Sequence, residues 1–339
     1  MLGKLMSAEM EEQPEVLRRL ADRREDILAT LATNLPDVPR GVALAARGTS
    51  DNAAIFGRYV VEFSSGLPVF LVAPSLVSIY RAPIDYRGFV AVAVSQSGET
   101  PEIVTVLERL QELGAVGVAI TNHSDSSLAA TAHTVVGLGA GEEMAVPATK
   151  TFTAQLAVFG FLAEALGSPP WSDADWKVVP QVVEAVLADS EPGARVAETI
   201  GDAPGIICVG RGFMFGVARE AALKLKETSL ILAEGYSAAD LRHGPIAVVE
   251  EEFPVLVFAA QGPTMADVED LIAALRGRGA RTFVVGAVPG ADLPTPDALP
   301  EALAAIPAAV RAQQVALWLA RCRGLEPDRP TGLSKVTST

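Results

Sequence analysis

Phe89-Val90-Ala91-Val92-Ala93-Val94 runs without a break into Ser95-Gln96-Ser97-Gly98-Glu99-Thr100-Pro101, and the reading of this junction decides the fold. The unbroken apolar run suits a strand covered on both faces. The turn after it is polar, and beyond it Ile103, Val104, Leu107 and Leu110 recur at helical spacing. Thr100 suits the N-cap, and Pro101 suits the first helical turn, where its missing N–H has no partner to lose. A strand, a hydroxyl-rich turn and a helix N-terminus together can bind a phosphate. Backbone N–H groups and the helix dipole supply partial positive charge, and Ser95, Ser97 and Thr100 supply short donors. The simpler reading is a turn that only caps its helix.

Outward from this junction the same alternation continues. Strands are expected at Gly41–Ala46, Pro68–Ala73, Val116–Thr121 and Thr134–Leu138, with helices over Asn52–Phe63, Pro101–Leu113 and Lys150–Leu166. A single helical stretch is expected ahead of them, from Met10 to Leu31. This βαβ alternation with apolar strands predicts an α/β fold, a parallel sheet flanked by helices in three layers, flavodoxin-like. Ser168-Pro169-Pro170 breaks the pattern, and a helix from Val178 to Ala188 leads into a second unit.

That second unit repeats the first. Val42–Ser50 matches Ile206–Met214 and Val92–Thr100 matches Leu256–Thr264, both at an offset of 164. Gly114-Ala115 recurs as Gly279-Ala280, one residue further on. Three matches in one order indicate duplication of an α/β domain. The expected division is a helical segment at 1–30, a first domain at 31–190, a second at 191–324 and a tail at 325–339. Between the copies Ser95-Gln96-Ser97 becomes Ala259-Ala260-Gln261, so only the first copy keeps a hydroxyl cradle.

The 339 residues suffice for two domains, and a net charge of −14 argues against nonspecific nucleic-acid binding. Cys208 and Cys322 cannot form a disulfide framework or a zinc cluster. No metal-ligand spacing or dinucleotide fingerprint is present, so no cofactor is expected. The N-terminus lacks a signal-peptide core and no segment is apolar enough to span a membrane, so a soluble cytoplasmic protein is expected.

In the second copy, Glu220, Lys224 and Glu227 stand at i, i+4 and i+7 on one helix face. They form either an exposed ion-pair stripe or, since Ala221, Ala222, Leu223 and Leu225 make the rest of the helix mostly apolar, an enclosed site. A carboxylate beside a lysine at such a site can act as a general base. His243, one of three histidines, sits in a His-Gly-Pro turn that favours exposure to a cleft. Composition alone makes Lys335 a mobile tail lysine.

With these segments together, the chain resembles the sugar isomerase (SIS) domain family, most of all the isomerase half of glucosamine-6-phosphate synthase and its stand-alone relatives. The motifs are Gly48-Thr49-Ser50, Ser95 to Thr100, Ala148-Thr149-Lys150-Thr151-Phe152-Thr153, Gly210-Arg211-Gly212, Ala222 to Glu227 and Leu241-Arg242-His243-Gly244-Pro245. The resemblance implies two tandem SIS domains. It implies that Ser50, Ser95, Gln96, Ser97 and Thr100 hold a sugar phosphate, with Thr49 and Ala148 near the sugar. It implies that Glu227 shuttles a proton between C1 and C2, that Glu220 and Lys224 complete the polar wall, and that Lys335 approaches the open-chain carbonyl. His243 would assist ring opening, reaching across from the partner of a homodimer.

The chain departs from the synthases in three places: Ala148 replaces a frequent serine, Leu232 a histidine and Asp240 a glutamate. It begins directly at the isomerase-like part, so no built-in ammonia source is expected. The expected activity is that of an aldose–ketose isomerase on amino-sugar phosphates, as a glucosamine-6-phosphate deaminase. Alternatives are a fructosamine-6-phosphate deglycase, a simple phosphosugar isomerase and a non-catalytic sugar-phosphate sensor.

Overall fold

A computed structural model describes residues 2–335; Met1 and the end of the tail, 336–339, lie outside the described residues. The chain opens with three helices, α1 (Lys4–Glu11), α2 (Gln13–Asp22) and α3 (Arg24–Asn34). The single helix expected from Met10 to Leu31 is therefore corrected. Pro14 restarts the chain as α2, because a proline is tolerated in a first turn and nowhere deeper. Arg23, with ψ near 2°, separates α2 from α3.

The first repeat comprises β1 (Gly41–Ala46), α4 (Thr49–Ser65), β2 (Val69–Leu71), α5 (Pro74–Ser78) and β3 (Phe89–Val94). It continues with α6 (Pro101–Glu112), β4 (Val116–Thr121), α7 (Ser127–Thr131), β5 (Thr134–Gly137) and α8 (Lys150–Leu166). After α9 (Asp173–Ala188) and α10 (Glu191–Ile200), the second repeat runs β6 (Gly205–Gly210), α11 (Met214–Ser229), β7 (Leu232–Ser237) and α12 (Ala238–Arg242). Then follow β8 (Pro254–Phe258), α13 (Met265–Gly277), β9 (Arg281–Gly286), β10 (Leu293–Pro294) and α14 (Ala305–Cys322).

Both sheets are five-stranded and wholly parallel, in the orders β2-β1-β3-β4-β5 and β10-β9-β8-β6-β7. These are one topology written from opposite edges. The duplication extends to register: Leu44 faces Val92 and Cys208 faces Leu256, the same pair displaced by 164. Val92 faces Val118 and Leu256 faces Phe283, where the extra residue before the third matched strand has been absorbed.

On one face of the first sheet the inward residues are small: Ala43, Ala45, Ala91, Ala93 and Ala119. That lets Ile103, Val106, Leu107 and Leu110 of α6 pack close to the backbone. The second sheet uses larger residues, Ile207, Val209, Val255, Val257 and Val284, against Val268, Leu271 and Leu275 of α13. Cys208 is buried in β6, where burial pushes its thiol well above the ordinary range, while Cys322 is exposed. No helix among the described residues is long and apolar enough to cross a membrane.

The chain forms two compact units that interleave in sequence. One holds the second sheet and comprises residues 2–15, Glu143–Thr153 and Asp173–Lys335; the other holds the first sheet, in Val16–Glu142 and Ala154–Ser172. Hydrogen bonds account for the N-terminal residues joining the second sheet's unit. The Asp328 carboxylate accepts from the Leu5 and Met6 N–H groups at 2.9 and 2.8 Å, capping α1 from the far end of the chain.

Candidate functional site

In the first sheet the strand order reverses direction at β1 and β3, and parallel sheets bind ligands at the carboxyl ends of the strands on either side of such a point. Ala46 pairs with Val94, so both strands end level. Thr49 and Ser50 follow β1, and Ser95 to Thr100 follow β3. The two hydroxyl-bearing turns expected from the sequence are thus brought to the same end of the sheet, behind adjacent strands. Ser50 is buried and its Oγ accepts from Gln155 Nε2 at 2.9 Å.

The β3–α6 turn is held by its own hydroxyls. Ser95 Oγ accepts from the Gly98 N–H at 3.1 Å and lies 3.1 Å from Thr100 Oγ1, and Ser97 Oγ accepts from the Glu99 N–H at 3.2 Å. Thr100 occupies the N-cap position as expected, but its side chain makes no capping bond; its hydroxyl turns back to Ser95. The expected role as a capping side chain is corrected accordingly. Exposed Glu99 accepts from the Ser127 hydroxyl and N–H, which hold its carboxyl below the usual range.

Gly98 fixes this geometry. It has φ +67°, and a Cβ there would lie 2.0 Å from Ser126 Oγ and 2.4 Å from Ser126 Cβ. Gly98→Ala is expected to destabilise the chain by about 1–2 kcal/mol from the left-handed backbone alone, with displacement of Ser126 adding to it. Urea unfolding measures this, and an unchanged midpoint would show that the turn relaxes freely.

The corresponding β8–α13 turn of the second copy has a different occupant. Thr264, the counterpart of Thr100, donates to Glu301 Oε1 at 2.6 Å, and a Cβ on Gly262 would lie 2.2 Å from Glu301 Oε2. The chain's own carboxylate is seated on the turn that lost its serines. Partial burial raises the Glu301 carboxyl, and the Thr264 hydroxyl only offsets this.

The residues of the second copy expected to do acid–base work lie elsewhere, on α11. Lys224 stands ten residues past Met214, about 15 Å along the helix at 1.5 Å per residue. Lys224 Nζ is 3.4 Å from Glu220 Oε1 and forms a close ion pair with Glu227. The side chains of Glu220 and Lys224 are 4% and 1% exposed, and that of Glu227 is 20% exposed. The structure therefore decides for the enclosed reading of this helix face. Burial alone would depress the Lys224 ammonium, but the charges of Glu220 and Glu227, the bond to Glu227 and the charge of Glu143 hold it up at about 12. Lys224 is a fixed cation, and Glu227 is the member of the trio that reaches solvent.

The tail lysine is not free. Lys335 Nζ donates to Glu143 Oε2 at 3.0 Å and to the Ala145 carbonyl at 2.7 Å, which corrects the composition-based expectation of a mobile lysine. Glu143 was not singled out by the sequence. Its other partners are the Thr149 N–H at 2.9 Å, the Thr151 N–H at 3.2 Å and the Thr151 hydroxyl at 2.6 Å. Burial works to raise the Glu143 carboxyl, but the Lys335 charge and the Thr151 and Thr149 bonds keep it below the ordinary range. The only sequence signal was a carboxylate six residues ahead of Thr149, too far upstream for a capping-box pattern. Beneath it, Glu9 accepts from the Met144 and Ala145 N–H groups, and burial raises its carboxyl. Ala148 is half-buried in the same segment.

His243 is exposed, and its N–H donates to the Asp240 carbonyl at 3.1 Å. Gly244 follows with φ +139°, a conformation that favours glycine. The preceding Arg242 pairs with Asp267, which also lies 3.1 Å from Arg211 Nε. In the first copy Arg47 and Glu102 make the equivalent pair at 2.8 Å.

Comparison with known proteins follows the duplication. The SIS domain matches residues 39–165 and again 199–320. Glutamine–fructose-6-phosphate aminotransferase (isomerizing) of Methanothermobacter thermautotrophicus is 32% identical over 349 residues, covering 98% of this chain and 57% of that protein. The chain thus spans a little over half the length of that relative. A solved structure from Silicibacter pomeroyi DSS-3, named as a candidate phosphosugar isomerase, is 33% identical with a TM-score of 0.87, covering 97% of this chain and 100% of that one. The glucosamine-6-phosphate deaminase of Thermotoga maritima shares the fold at 24% identity and a TM-score of 0.75, over 97% of this chain and 100% of that one. With one domain type matched on each of its two sheets, the chain belongs to the SIS domain family.

Proposed function

We propose that the chain is an isomerase-type enzyme on amino-sugar phosphates that converts glucosamine 6-phosphate to fructose 6-phosphate and ammonia. The observation that carries this reading is the enclosed trio of Glu220, Lys224 and Glu227, in which a carboxylate with an outlet to solvent is backed by a permanent cation. An aldose–ketose rearrangement needs one group that removes a proton from C2 and returns it to C1, and Glu227 is built for that task. The kinship with an isomerizing fructose-6-phosphate aminotransferase supports the same substrate class.

In the open-chain sugar the C2 proton is acidified by the C1 aldehyde. Glu227 takes it, and the electron pair forms the C1–C2 double bond. The C1 carbonyl π pair moves onto its oxygen, which takes a proton from solvent to give an enolamine. Glu227 then returns the proton to C1, leaving an imine at C2 and a hydroxymethyl group at C1. Water adds to the imine carbon, and the C–N bond breaks to give the ketone and ammonia. The Lys224 ammonium keeps the Glu227 carboxylate oriented throughout. Ser50, Ser95, Gln96, Ser97 and Thr100 take the phosphate, with Thr49 and Ala148 near the sugar. His243 assists ring opening, and its exposed position suits a group that serves the partner site of a homodimer.

The test is ammonia release and deuterium wash-in from heavy water, measured with glucosamine, galactosamine and fructosamine 6-phosphates. Ammonia released from glucosamine 6-phosphate, with label at C1 of the product, is the expected result. Release from fructosamine 6-phosphates alone would replace the deaminase by a deglycase, and neither ammonia release nor wash-in with any of them would overturn the isomerase chemistry.

A further inference from the structure

The Lys335 site is more elaborate than a chance surface pair. The Glu143 side chain is 0% exposed, and both of its oxygens are used: Oε1 by the Thr149 and Thr151 N–H groups, Oε2 by the Thr151 hydroxyl and Lys335. Its orientation is set by backbone at the start of α8 and does not depend on the tail. The second acceptor for Lys335, the Ala145 carbonyl, lies in a segment pinned by Glu9, whose carboxylate is buried and takes the Met144 and Ala145 N–H groups. Both lysine acceptors are therefore held by bonds that do not involve the tail, within one compact unit. An ammonium has three donors, so two are consumed here and one is left to point elsewhere.

We propose that Glu143 is a positioning residue for Lys335: it draws the C-terminal segment into a prepared socket and aims the remaining N–H of the tail ammonium at the substrate. The proposal rests on the isomerase reading only for the identity of that substrate; the socket itself is a property of the chain. Glu9 acts one step further back, by holding the Ala145 carbonyl in place. The charge of Glu143 also helps to hold Lys224 as a cation, so one buried carboxylate links the tail lysine to the acid–base helix.

Two measurements test it. The first needs no substrate: acetic anhydride labelling of the intact chain, read lysine by lysine by peptide mass spectrometry. The Lys335 side chain is 23% exposed and that of Lys177 is 70% exposed. Lys335 should label at least about tenfold more slowly than Lys177, and Glu143→Gln should remove about that factor, as expected for loss of a hydrogen bond to a charged group. The second is kinetic: Glu143→Gln should lower kcat about tenfold to a hundredfold with KM little changed, because the lysine is misplaced and the phosphate loop is untouched. Equal Lys335 labelling in folded wild type and folded Glu143→Gln overturns the proposal. So does a change in KM alone, which would mark a purely structural role. If Glu143→Gln does not fold, the wild-type comparison decides, and labelling of Lys335 at the Lys177 rate overturns the socket. Absence of turnover with every amino-sugar phosphate would count against the proposed function and leave the labelling result to decide on Glu143.

Discussion

Glu227→Gln is expected to lower turnover of glucosamine 6-phosphate by about 10²–10⁴-fold, the usual contribution of a positioned general base. The amide keeps the volume of the carboxylate and an oxygen for Lys224, so the helix should survive intact. It cannot accept a proton at C2, and deuterium wash-in should fall in parallel with ammonia release. Substrate affinity should hold, because the residues proposed to take the phosphate are on another sheet. Calorimetric titration of the variant with substrate checks the affinity, and steady-state kinetics check the rate. Wild-type turnover by the variant would assign the proton transfer to a different group.

Lys224→Met should be the more damaging change to stability. It removes the cation shared by Glu220 and Glu227 and leaves a carboxylate that is 4% exposed without that ion pair. Breaking a buried pair from one side costs about 3–5 kcal/mol, much of it the desolvated charge left behind. Equilibrium urea unfolding measures the loss. Glu220→Gln introduced into the Lys224→Met background should recover a large part of it, and two additive losses would show that the pair is not coupled. The pH dependence follows from the direction of the shift. The lysine value is raised from 10.5 to about 12, so its stabilisation is fully present below 10.5 and fades only as pH climbs through about 12. Between pH 6 and 9, on that account, stability should show no slope from Lys224 (about zero protons exchanged).

The legibility of the sequence varied with the range of the interactions involved. Strands β1, β3 and β4 and helix α8 fall on their expected bounds, because buried parallel strands read as unbroken apolar runs and α8 starts sharply after Thr149. The duplication was visible because an offset of 164 in sequence became an offset of 164 in strand register. The Glu220–Lys224–Glu227 face was readable from helical spacing alone, but the burial of α11 depends also on α14, which packs against it from about 80 residues further along the chain.

Long-range pairings were the part that could not be read. Lys335 and Glu143 are 192 residues apart, and Asp328 caps α1 across 323 residues. No local pattern encodes such a contact, which is why a docked lysine looked like a loose tail and Glu143 passed unnoticed. The N-terminal helices show a smaller failure of the same kind: apolar periodicity carried through Glu12 and Arg23, whereas the backbone broke there. Thr100 shows that even a correct position can mislead, since the cap residue turned its hydroxyl to Ser95.

The carboxylate of Glu301 on the β8–α13 turn has a consequence for how the two copies complete themselves. A covalently tethered anion is present at constant effective concentration from the moment the chain folds, whatever the surrounding medium contains. The second domain is therefore born saturated, whereas the first, on the proposed reading, is finished only when a phosphate arrives. On that reading, duplication has yielded one half that responds to the metabolite supply and one half indifferent to it.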